Sequence, residues 1–157
     1  MKHNEFSGLV KRIRQELDEI ERVLSRVHHG WNKARHLDDD LYLDSVALNL
    51  HGFYSGVERV FIQIAKIVDD DLPRGENWHD LLLQQMAEER QGIRPAVISI
   101  QTGKLLDELR RFRHVVRNVY AHKFGPQNIE RLIRFADEAW ERLQIELTAF
   151  AIFLEQV

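Results

Sequence analysis

Apolar residues recur at three- and four-residue steps along almost the whole chain, and that spacing admits few folds. From about Glu5 to His28 the series is Phe6, Leu9, Val10, Ile13, Leu17, Ile20, Val23, Leu24 and Val27. Residues three and four apart share one face of an α-helix, so the series is one buried stripe. Lys11, Arg12, Arg14, Glu16, Asp18, Glu19, Glu21 and Arg22 fill the opposite face with mixed charge, which suits solvent and intrahelical pairing. β-Branched residues never alternate with polar ones over a strand's length, and only three prolines and eight glycines interrupt the chain. The pattern predicts an all-α fold.

Punctuation residues divide the pattern. Gly30 is placed to end the first helix, and Asp38, Asp39 and Asp40 suit the first turn of a second. That second helix is expected from about Asp39 to Val68, with Leu43, Val46, Ala47, Leu50, Phe53, Tyr54, Val57, Phe61, Ile64 and Ile67 as its apolar face. Between Ala47 and Ala65 it carries few charges, only Glu58 and Arg59, which implies burial against several neighbours. Residues 69–76 form a loop marked by Pro73 and Gly75. Asn77 then caps a short helix through Leu81, Leu82, Leu83 and Met86, with Asp80 near its positive end. Glu88 to Ser99, broken by Gly92 and Pro95, is a connection. Ser99 or Thr102 caps the next helix, Gly125-Pro126 ends it, and the last runs from about Gln127 to Leu154. Four long helices and one short one make an antiparallel helical bundle the economical architecture, as one domain over residues 1–157.

Composition removes several functional classes. With 157 residues and 44% hydrophobic content the chain buries a real core. It has no cysteine, hence no disulfide or thiolate metal site. It has no apolar run of about eighteen residues that would span a membrane. Met-Lys-His-Asn-Glu lacks the apolar core of a secretory signal, so the cytoplasm is the expected compartment. A net charge of −3 argues against indiscriminate coating of nucleic acid, while leaving room for a small basic cleft.

One stretch concentrates the positive charge. Between Leu109 and Phe124 there are four arginines, one lysine and two histidines, and no acid. Leu105, Leu109, Phe112, Val116 and Val119 mark a buried stripe, with Arg110, Arg113, His114, Arg117 and Asn118 expected on the other side. Arg117 and His122, five residues apart, would point about 140° from each other on a continuous helix. One protomer brings them together only if the helix unwinds near Ala121. Otherwise a facing second copy supplies one of them. Spacing alone leaves open a solvated basic face with a histidine near a helix C-terminus, where positive charge is favoured.

The stretch resembles the Arg-x4-6-His signature of HEPN domains, and the form Arg117-Asn118-x-x-x-His122 is similar to that of HepT toxins. Leu50 to Arg59, Trp78 to Leu82 and Phe112 to Arg117 also resemble HepT-like domains, so the likeness spans about Leu41 to Leu132. It implies an all-α homodimer whose motif helices face each other across a cleft. It also implies metal-independent endoribonuclease activity without a cofactor, and an antitoxin partner of the MNT minimal nucleotidyltransferase type. On this resemblance Arg117 and His122 are the catalytic pair, while Asn118, Arg113, His114 and Tyr120 are supporting or RNA-binding residues. Arginine holds phosphate and stabilises transition-state charge through its planar donors, and a histidine near neutral pKa moves protons. Asn118 would orient either group. Many HepT toxins carry a tyrosine two residues after the histidine, which the partner adenylylates. Phe124 stands there in this chain and has no hydroxyl; Tyr120 is the nearest substitute.

The remaining candidates read as structural. His28, His29 and His36 with Asp38, Asp39 and Asp40 fit no metal-ligand spacing and suit a solvated, partly helical linker. His51 reads as a hydrogen-bonded core or interface histidine, Glu58 and Arg59 as a polar seam against the motif helix, and His79 as part of a helix start. Trp140, Phe150 and Phe153 read as core or dimer interface. No phosphate loop, nucleophile elbow or His-Glu-x-x-His motif is present. Two functions stand: a HepT-like toxin that cuts RNA by 2′-hydroxyl attack, and a catalytically silent bundle that binds a nucleotide, RNA or the transferase.

Overall fold

The computed structural model describes the backbone of residues 2–118 and 125–157, and the side chains of 2–113 and 125–157. Among the described residues there are five helices and no strand: α1 (Lys2–Leu37), α2 (Leu41–Ile67), α3 (Trp78–Met86), α4 (Ile100–Asn118) and α5 (Pro126–Glu155). The all-α bundle is therefore as expected. α1 and α2 form an antiparallel hairpin, α5 lies along α1, α2 and α4, and α3 braces α2 and α4. The core runs through their shared faces, from Leu9, Ile13 and Ile20 to Phe53, Phe61, Leu106 and Leu143.

Gly30 does not end α1, which continues to Leu37. Gly30 is buried against α2, where a Cβ would stand 3.1 Å from Val46 Cγ2. The missing side chain thus serves close approach rather than a turn. The reversal falls at Asp38, whose φ of 49° lies in the left-handed region that Asp tolerates. Asp39 Oδ1 then accepts from the Leu41 backbone N–H at 3.0 Å and satisfies a donor at the start of α2. His28, His29 and His36, expected in a partly helical linker, all lie within α1, and His28 Nε2 meets Asp137 Oδ1 of α5 at 2.7 Å.

The start of α4 is capped across the fold. Ser99 Oγ accepts from the Thr102 N–H at 3.2 Å. The glutamate that would normally follow in sequence is replaced by Glu146 of α5. Its Oε1 accepts from Ser99 N and from Thr102 Oγ1, each at 3.0 Å. This is a capping box completed by a distant helix, and it ties α4 to α5.

The connection over 87–99 is held by a buried ion pair. Arg94 and Asp69 side chains are fully buried and paired through two bonds, Nε to Oδ1 at 2.6 Å and Nη2 to Oδ2 at 2.8 Å. Arg94 also donates to the carbonyls of Gln85, Glu88 and Pro95, and Gln85 Nε2 donates to Asp69 Oδ2. Every charge there is matched by donors or acceptors, which is what lets it stay buried.

Candidate functional site

Three elements converge on the side of α4 that carries Arg113. On α2, His51, Tyr54 and Glu58 are spaced three and four apart and therefore share a face. α3 begins next to them, with Trp78 and His79 in its first turn. α4 brings Arg110 and Arg113, and Arg117 follows one turn after Arg113.

Glu58 is the centre of the cluster. It is 5% exposed, on a helix whose buried residues are otherwise mostly apolar. Its Oε1 accepts from Arg113 Nη1 at 2.8 Å and its Oε2 meets His79 Nδ1 at 2.6 Å. Arg113 Nε donates to His51 Nε2 at 3.1 Å, which makes that nitrogen the acceptor of its ring. Burial, then the neighbouring Glu58 charge, pushes the Tyr54 phenol far above the usual tyrosine range and keeps it neutral. The Trp78 ring lies against the His79 imidazole, centroids 3.6 Å apart. At the edge, Arg110 pairs with Asp107 at 2.8 Å and approaches Asp80 at 3.9 Å.

Arg113 is therefore turned inward, with only 17% of its side chain exposed, and does not sit on an open basic face. The buried arc of α4 is wider than its apolar stripe because α2, α3 and α5 all pack along it. Glu58 forms the expected seam against α4, whereas Arg59 points to α1 and pairs with Glu16 at 2.8 Å. His51 is the hydrogen-bonded histidine its surroundings suggested. His79 does more than start a helix, and the sequence held one signal of this: a carboxylate in an apolar run requires partners. Arg117 and Asn118 lie in the last turn of α4, and the side chains of His114, Arg117 and Asn118 fall outside the described ones. Tyr120, His122 and Phe124 lie outside the described residues, and so does the unwinding expected near Ala121.

A family model for HepT-like proteins matches residues 45–154, which span α2 to α5 and contain this cluster and the motif stretch. The chain belongs to the HepT-like family. Its bundle is accordingly a HEPN-type domain, with the polar cluster at the junction of α2, α3 and the motif helix. Among curated proteins and among solved structures, nothing matches this HepT-like chain. No described helix is long and apolar enough to cross a membrane.

Proposed function

We propose that this HepT-like protein is a metal-independent endoribonuclease. It acts as the toxin of a pair with an MNT-type nucleotidyltransferase and works as a homodimer in the cytoplasm. The observation that carries the reading is the intact Arg117-Asn118-x-x-x-His122 signature inside the matched region 45–154. In this reading Arg117 holds the scissile phosphate and stabilises the charge of its pentacoordinate transition state. His122 moves a proton at the 2′-hydroxyl or at the leaving oxygen. Asn118, His114 and Tyr120 have supporting or RNA-binding roles, and Arg113 a supporting one through its bond to Glu58. The second copy doubles a set of groups too small to act alone.

The silent-bundle reading is favoured by two observations. Phe124 cannot accept the partner's modification, and Arg113 is engaged with Glu58 rather than free for phosphate. One experiment separates the readings: RNA incubated with purified protein in EDTA, wild type beside His122→Ala. The ribonuclease reading expects cleavage by wild type and a loss of roughly a hundred- to ten-thousand-fold in His122→Ala, with RNA affinity nearly unchanged. Binding without cleavage by the wild type would establish the silent bundle instead.

A further inference from the structure

The contact between His79 and Glu58 fixes which ring nitrogen carries the proton. Glu58 is buried and its Oε2 lies 2.6 Å from His79 Nδ1. A carboxylate accepts, so Nδ1 must be the N–H. Arg113 Nη1 lies 3.5 Å from the same nitrogen and could only donate to it, but that contact is long, and Nη1 already donates to Glu58 Oε1 at 2.8 Å, so the 2.6 Å contact with Glu58 decides the tautomer. A neutral ring protonated on Nδ1 presents a lone pair at Nε2. Among the described residues nothing bonds to that atom, and 28% of the side chain is exposed. Trp78 covers one ring face and limits its swing.

Cleavage of RNA by its own 2′-hydroxyl needs two proton transfers, one from the nucleophile and one to the leaving oxygen. The motif supplies one histidine per chain. We propose that His79 is the general base of the reaction, accepting the 2′-hydroxyl proton at Nε2, with Glu58 as its positioning residue. The O2′–P bond forms as the P–O5′ bond breaks. His122 gives its proton to the departing 5′-oxygen, leaving a 2′,3′-cyclic phosphate and a 5′-hydroxyl end. The arrangement parallels the serine-hydrolase logic, in which a buried acid holds a histidine in the tautomer that can accept a proton. Arg113 shares Glu58 with His79 and precedes Arg117 of the motif by one turn on α4. The proposal rests on the ribonuclease reading and divides its proton transfers between two residues.

The test uses the full chain, two RNA substrates and His79→Asn. An asparagine side-chain N–H can take the place of Nδ1 toward Glu58 while removing Nε2. On ordinary RNA, single-turnover cleavage by His79→Asn should fall roughly a hundred- to ten-thousand-fold, with melting temperature and RNA affinity close to wild type. The second substrate carries a bridging 5′-sulfur, whose thiolate leaves without a proton. His122→Ala should regain most of its rate on it, and His79→Asn should not. The acid limb of the rate–pH profile, which tracks deprotonation of the base among Glu58, His51, Tyr54, Arg110, Arg113 and Asp80, should be lost in His79→Asn. His79→Ala supplemented with free imidazole should recover part of the rate, a readout that a structural role would not move.

Wild-type rates in His79→Asn, with the wild type active, overturn the base assignment and leave the ribonuclease reading standing. Rescue of His79→Asn by the sulfur substrate also overturns it, since the residue would then be the acid. Absence of wild-type cleavage removes both readings together.

Discussion

Two arginines in this bundle face buried carboxylates and are used in opposite ways. Arg94 meets Asp69 with both side chains fully buried, and its remaining donors go to three backbone carbonyls. Arg113 meets Glu58 with 17% of its side chain still exposed, and it shares that carboxylate with a histidine. The first site is closed, because each polar group is spent on another part of the chain. The second keeps an exposed edge at His79, 28% of whose side chain is open to solvent. A closed cluster fixes the shape of the fold, whereas an open one leaves a polar atom for something outside the chain. That difference is why we propose chemistry at the α2, α3 and α4 junction rather than at the connection between α3 and α4.

The comparison breaks most easily at Arg94. Arg94→Met takes from buried Asp69 its bidentate partner and leaves only Arg90, whose Nε lies 3.7 Å from Oδ2, a loss of up to about 3–5 kcal/mol. Urea unfolding should show that loss, and hydrogen exchange should show residues 87–99 opening first. A variant as stable as wild type would mean that the closed cluster does not hold the connection.

Arg113→Met should cost less, about 1.5–3 kcal/mol for a hydrogen bond between charged groups, since this site is partly hydrated and His79 remains to Glu58. RNA cleavage should fall further than in any folded Arg94 variant, because Glu58 and His79 lose their anchor on α4. Equal stability losses for the two arginines would erase the contrast between them.

The smallest effect belongs to Tyr54. Its folded pKa is raised above the unfolded value near 10, so its stabilising contribution is complete below that value and declines as pH rises beyond it. Melting temperature measured across that alkaline range should fall less in Tyr54→Phe than in wild type. Parallel curves would show that the phenol does not feel the burial and the Glu58 charge that set its shift.

Much of the bundle was legible in sequence because helical periodicity is local. Leu43 to Ile67 recur on one face whatever they pack against, and Pro126 after Gly125 marks the start of α5 with no tertiary information. Gly30 was misread for the converse reason. A glycine looks the same in sequence whether it ends a helix or admits a neighbour, and only the approach of Val46 distinguishes the two. The Arg117 and His122 pair was legible as a motif, since their types and spacing are properties of the chain.

The rest was decided by tertiary structure. Glu146 bonds the cap residue Ser99 across 47 residues, and Asp69 finds Arg94 across 25 residues. Likewise Glu58 meets His79 and Arg113 across 21 and 55 residues. The sequence determined that Glu58 lies on a buried helix face and so must find partners, because an unpaired charge is too costly to bury. Which partners it found, and which nitrogen of His79 was left outward, depended on three helices meeting at distances that no local pattern encodes.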